Sequence, residues 1–243
     1  MKDIRALTSL RGVAALWVLL FHLQLERPVL PDAVREWLAV GRGYIAVDLF
    51  FVLSGFVLAL TYRPSFVARP LTSAYPDFLR RRVARVMPLN AAVVATLAAA
   101  AWAAPERAGD SFAAARDAGA VIANLLLVQD WGIAPSIDKP AWSVSVEMAV
   151  YLAYPLLIWL AWRRLIWMLP ALAGAAALAW VAQAGQGVVS RGLVSGDIIR
   201  GFAGFYFGLL IFRAFARAPR WLGRLDFGVL VLFWAAVAWS QTD

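Results

Sequence analysis

Long apolar runs separated by short charged stretches dominate this chain. The first covers about 6–25 and reads ALTSLRGVAALWVLLFHLQL. Further runs cover about 44–62, 83–103, 142–162, 165–183, 197–213 and 226–240. Most approach the ~20 residues that an α-helix needs to cross a hydrocarbon core. They are continuously apolar rather than alternating, which points to helices and away from a β-barrel. A shorter run, 118–131, ends in Gln129-Asp130-Trp131 and reads either as a span or as a re-entrant element. The pattern predicts an all-α polytopic transmembrane bundle of about seven or eight spans, in a single domain over 1–243.

Composition agrees: 63% of residues are hydrophobic and 16% charged, with a mean hydropathy of +0.71. The net charge of +8 resides at the ends of apolar runs, as in cytoplasmic loops, and gives no reason to expect nucleic acid. There is no cysteine, so no disulfide or thiolate site, and a lone histidine gives no basis for a metal centre. Lys2 and Arg5 place the N-terminus inside, and the basic stretch Arg63, Arg69, Arg80, Arg81, Arg82 and Arg85 reads as an inside loop. If 118–131 is re-entrant, Arg163-Arg164 and the 213–224 arginines also return inside.

Several ionisable residues interrupt the apolar runs, and such groups are costly in a membrane. Arg11 and His22 are eleven residues apart, close to three helical turns. They share a face and stand about 16 Å apart along the axis. Arg82 and Arg85 share another face, and a guanidinium pair suits phosphate. The structural alternatives are a snorkelling Arg11, a packing His22 and a lipid-headgroup anchor at Arg82 and Arg85. Ser143 and Glu147 meet on one helix face while Ser145 points elsewhere. Asp48 and Glu147 also fit helix N-termini, where the dipole favours acids. Ser54-Gly55 suits close helix packing or a substrate contact, and so do the glycines around Arg200, whose cation needs an interior partner. If 118–131 is re-entrant, His22, Asp48 and Glu147 lie toward the outer side and Arg82 and Arg85 toward the inner side, which suggests a tunnel.

Together the segments RGVAALWVLLFH, VDLFFVLSGF, RRRVARVMP and WSVSVEMAVYLAYP resemble the membrane-bound acyltransferase-3 family. Arg11 and His22 match its R-x10-H pattern. Asp48, Phe50, Phe51, Ser54, Gly55 and Phe56 match its Asp-x-Phe-Phe-x-x-Ser-Gly-Phe pattern. Arg82, Arg85 and Pro88 match R-x-x-R-x-x-P, and Trp142, Ser143, Ser145 and Glu147 match W-S-x-S-x-E. Ala46 replaces a glycine usual in the family. Members run to about ten spans, so the resemblance also implies a chain incomplete at its C-terminus.

What the resemblance implies is O-acyl transfer from acyl-CoA, with acetyl the expected group, to a hydroxyl of a carbohydrate, glycolipid or small molecule such as a macrolide. The context would be surface polysaccharide modification at a bacterial inner membrane, the N-terminus cytoplasmic. Acyl-CoA would be a co-substrate, with no permanently bound cofactor and no metal. The implied donor-binding residues are Arg11, Arg82 and Arg85, with His22 as general base and Glu147 or Asp48 supporting it. Ser54, Gly55, Trp142, Ser143, Ser145 and Arg200 are the expected substrate contacts. An acyl-histidine intermediate remains open. The rival classes are a proton-coupled transporter or flippase and an inactive truncated scaffold.

Overall fold

The structure, a computed structural model, describes residues 5–26, 30–38, 40–104, 106, 109–163 and 196–216. Among these, eight α-helices and three short 3-10 turns account for nearly all the regular structure, and no strand occurs. Five helices are long and apolar enough to cross a bilayer, which makes this an integral membrane protein. They are α1 (Arg5–Glu26), α3 (Ile45–Ala68), α4 (Leu71–Ala103), α7 (Trp142–Trp162) and α8 (Gly196–Phe215). Between them lie α2 (Asp32–Trp37), α5 (Asp110–Arg116) and α6 (Ala118–Leu125). The expected count of seven or eight spans is not reached among the described residues. The runs at 165–183 and 226–240 lie outside them.

One expectation needs correcting, and one left open is narrowed. The basic stretch 63–85 is not a loop: α3 continues to Ala68 through Pro64, and α4 begins at Leu71 after only Arg69-Pro70. The 33 residues of α4 make about 50 Å of helix, longer than a hydrocarbon core. Arg82 and Arg85 therefore sit on a rigid helix in mid-course. Of the two readings left open for the run 118–131, the full span is not the one observed. Its helix α6 has eight residues, about 12 Å, and the chain then turns through Leu127 and a 3-10 turn at Gln129–Trp131.

The core fills the space between α3, α4, α7 and α8. Phe78 of α4 stacks on Tyr154 of α7 with ring centroids 4.6 Å apart, and Phe205, Tyr206 and Leu209 of α8 close the cluster. Tyr154 donates its hydroxyl to the Leu58 carbonyl at 3.0 Å, so its polar end is satisfied inside the apolar layer. The most extensive helix pair is α3 with α8. A methyl on Gly55 would fall on the Phe205 carbonyl, and one on Gly208 would fall on the Val52 carbonyl. Backbone meets backbone there, an approach only glycine allows.

Side chains satisfy helix ends and loops. Arg116 donates to the carbonyls of Ala101 and Ala104 at the end of α4, and Arg213 donates to the Ala161 carbonyl at the end of α7. Asp117 caps α6, accepting from the Ala120 amide at 2.6 Å. Buried Asn124 ties down the loop before α7. Its amide donates to the Ala120 and Pro135 carbonyls, and its Oδ1 accepts from the Ile137 amide at 3.0 Å. Below it, the Trp131 indole donates to the Ser145 carbonyl, and the Asp130 amide donates to the Ser145 hydroxyl. The entry of α7 is thus fixed against α6 by a closed set of hydrogen bonds.

Candidate active site

A cavity of about 670 Å³ opens between α1, α3, α4 and α7. That size is typical of small-molecule sites. Its walls bring together eight of the residues singled out in the sequence: Arg11 and His22 from α1, Ser54 from α3, Arg82 and Arg85 from α4, and Trp142, Ser143 and Glu147 from α7. Asp48, Gly55, Ser145 and Arg200 do not line it. The helical spacing explains the first group. Arg11, Ala15, Val18 and His22 form one stripe of α1, and Ser143, Glu147 and Tyr151 form an i, i+4, i+8 stripe of α7.

The His22 imidazole has a defined tautomer. Its Nδ1 lies 2.9 Å from the Val18 carbonyl oxygen, one turn back on α1. A carbonyl can only accept, so Nδ1 carries the proton and the neutral ring keeps its lone pair on Nε2. The ring is further braced edge-to-face by Phe21 at 5.2 Å. Neither Glu147 nor Asp48 hydrogen-bonds to it. Both carboxylates are engaged elsewhere.

Glu147 Oε1 accepts from the Tyr151 hydroxyl at 2.6 Å and from the Ser54 hydroxyl at 3.3 Å. Arg11 lies within electrostatic reach of this carboxylate, and so do Arg82 and Arg85 of Arg11. Three guanidinium groups and one carboxylate thus share the cavity, which leaves it positive. Arg82 donates to the Tyr62 hydroxyl at 2.6 Å, and its guanidinium also lies over that ring, 4.9 Å from the centroid. This contact fixes the long side chain on the cavity wall. Among the described residues, Arg82 Nε is buried without a partner. Arg85 is the exposed member.

Asp48 pairs with Arg200 instead. The guanidinium takes both carboxylate oxygens, at 2.5 and 2.7 Å, and donates to the Tyr44 carbonyl at 3.3 Å. The same cation lies 5.7 Å from the centre of the Trp142 ring, which Phe51 meets edge-on. Arg200 has the interior partner its position demanded, and the pair braces a cavity wall from behind. Gly55 is consumed by the α3–α8 crossing. Ser145, fully buried, serves the loop before α7.

Tyr151 and Tyr62 were not singled out in the sequence. Tyr151 was findable, standing four residues after Glu147 on the same face. Nothing in the sequence links Tyr62 to Arg82, twenty residues on.

Comparison with known proteins adds independent findings. A family model described as an acyltransferase domain matches residues 4–242. The protein named acyltransferase MdmB of Streptomyces mycarofaciens is 34% identical over 173 residues, 68% of this chain and 40% of that one. Protein 2 in the picA locus of Rhizobium radiobacter is 39% identical over 93 residues, 38% of this chain and 43% of the relative. A Bacillus subtilis (strain 168) protein named "Putative peptidoglycan O-acetyltransferase YrhL" is 26% identical over 169 residues, 65% of this chain and 24% of its own length. The matched region spans less than half of each of these relatives. No solved structure gives a significant match.

Proposed function

The chain belongs to the acyltransferase-3 family, and on that premise we propose that it moves an acyl group from acyl-CoA to a hydroxyl at the cavity between α1, α3, α4 and α7. The observation that carries the reading is one cavity holding three guanidinium groups together with an imidazole whose Nε2 has no hydrogen bond among the described residues.

The donor is an acyl thioester of coenzyme A, acetyl first among the acyl groups. Its phosphates lie against Arg82 and Arg85, with Arg11 deeper in the cavity. Guanidinium forks suit phosphate because two parallel N–H donors meet two oxygens. The acceptor hydroxyl donates to His22 Nε2. As its oxygen attacks the thioester carbonyl carbon, the proton moves to Nε2. The tetrahedral intermediate collapses, the carbon–sulfur bond breaks, and the departing thiolate takes the proton from the imidazolium. The products are an ester and free CoA, and the imidazole returns neutral. No covalent enzyme intermediate is needed.

Glu147 serves this scheme from across the cavity. Anchored by Tyr151 and Ser54, it offsets part of the guanidinium charge. The acceptor is a carbohydrate or glycolipid hydroxyl; the glycan in the name of the Bacillus relative supports a cell-surface sugar. The setting is a bacterial inner membrane with the N-terminus in the cytoplasm, as the N-terminal Lys2 and Arg5 favour.

The test is acceptor-dependent release of CoA from labelled acyl-CoA by the purified protein, with label recovered in the acceptor as an ester. Stoichiometric ester and CoA support the reading. Movement of an acceptor across vesicles without CoA release would replace it with a transporter.

A further inference from the structure

Three guanidinium groups in one cavity repel one another, and a long side chain swings away from like charge unless something holds it. Arg82 and Arg85 differ in this respect. Arg85 is exposed, whereas Arg82 is half-buried and gripped by a residue from another helix. That residue is Tyr62, late in α3. Its hydroxyl accepts from Arg82 Nη2 at 2.6 Å, a short bond of the charge-assisted kind, and the Arg82 Cζ lies 4.9 Å from the centre of its ring. Tyr62 does not itself line the cavity.

The tyrosine is in turn held by the core. Its ring meets Phe78 edge-on, with centroids 4.9 Å apart and planes at 85°. Phe78 is fully buried and stacks on Tyr154 of α7. Phe78 and Arg82 are four residues apart, so they share one face of α4. One aromatic ring from α3 therefore packs against both: its edge contact is to an apolar ring anchored in the core, and its polar end serves a cation at the cavity wall. The rigidity of the α3–α4–α7 core reaches the guanidinium through this single side chain.

We propose that Tyr62 is a positioning residue for the donor: it holds the Arg82 guanidinium at the cavity wall, set in advance to receive a phosphate of acyl-CoA. The proposal rests on acyl-CoA as the donor and deepens that reading. An arginine side chain loses much rotamer freedom when it is ordered, and a contact made on folding meets that cost before the ligand arrives. Arg85, without such a clamp from Tyr62, follows the ligand rather than awaiting it. Tyr62 acts on binding alone and takes no part in proton transfer at His22.

The test is calorimetric titration of the purified chain in detergent with CoA and, separately, with pantetheine, which lacks the phosphates. The proteins are wild type, Tyr62→Phe, Tyr62→Leu, Arg82→Ala and the double variant Arg82→Ala with Tyr62→Phe. Tyr62→Phe keeps the ring and its packing on Phe78 and loses only the hydroxyl. It should weaken CoA binding about threefold, and Tyr62→Leu, which loses hydroxyl and ring, about tenfold. Pantetheine binding should be unchanged in both. In the Arg82→Ala background, Tyr62→Phe should weaken CoA binding no further, because the group it positions is gone. A structural role would move neither the CoA preference nor the double-variant result in this way. CoA binding at the wild-type level in both Tyr62 variants overturns the proposal, and so does an equal loss with and without Arg82. Unfolding of Tyr62→Phe overturns it too, making Tyr62 a structural group. Failure of the underlying reading looks different: wild type would bind CoA no better than pantetheine, or Arg82→Ala would bind CoA as wild type does.

Discussion

Replacing Asp48 by alanine strips Arg200 of both charge-assisted hydrogen bonds that join α3 to α8. The two partners are not equally dependent on the pair. The Arg200 side chain is 16% exposed and that of Asp48 is 39% exposed. An exposed pair contributes about 0–1 kcal/mol, whereas orphaning one partner of a buried pair costs about 3–5 kcal/mol. Arg200 falls between these limits because the Tyr44 carbonyl and Asp197, 3.9 Å away, remain to it. We therefore expect Asp48→Ala to cost about 2 kcal/mol. The reverse change is milder. Arg200→Met keeps apolar bulk against Trp142 and leaves Asp48 in the first turn of α3, where the helix dipole favours an acid. Its cost is about 1 kcal/mol, mostly the lost cation–π contact. The assay is unfolding in detergent of both single variants and of the double variant. Asp48→Ala lowers the midpoint by roughly 4–8 °C for a chain of this size, and Arg200→Met by less. The double variant is less unstable than the sum of the two. Arg200→Met being the more damaging change, or strict additivity, would refute the reasoning.

Three further outcomes follow from the geometry. Gly208→Ala places a methyl on the Val52 carbonyl and should destabilise the fold by about 2 kcal/mol or more, whereas Gly12→Ala, with nothing nearby, should stabilise it by several tenths; detergent melts read both. Tyr151→Phe removes the 2.6 Å bond to Glu147 and should lower kcat several-fold, more than Ser54→Ala, which removes a bond of 3.3 Å; steady-state rates at saturating donor compare them. Arg82→Ala and Arg85→Ala should raise KM for acyl-CoA with a smaller effect on kcat, and the difference should vanish with an acyl-pantetheine donor that lacks phosphates.

The sequence carried the helical architecture because apolar length is a direct consequence of bilayer thickness, and five of the expected spans reappear with shifted ends. It misjudged the basic stretch before Val83. Arginine is a good helix former, so charge density marked a loop where the backbone breaks only at Arg69-Pro70. Periodicity placed Arg11 and His22 on one face, and Ser143 and Glu147 on another, since both inferences need only the geometry of a single helix. Contacts between helices were out of its reach. Nothing in the order of residues says that Arg200 crosses to Asp48, or that Ser145 faces the loop before α7. The tautomer of His22 was in principle legible, because the Val18 carbonyl lies one turn back on the same helix.

The central claim is that His22 performs chemistry while the arginines bind the donor. The measurement that tests it most directly compares wild type and His22→Ala for CoA affinity and for acyl transfer in the same preparation. The account predicts unchanged affinity, within about twofold, and a rate lower by about 10²–10⁴, the usual contribution of a positioned general base. Transfer that persists at the wild-type rate, with affinity intact, would contradict it.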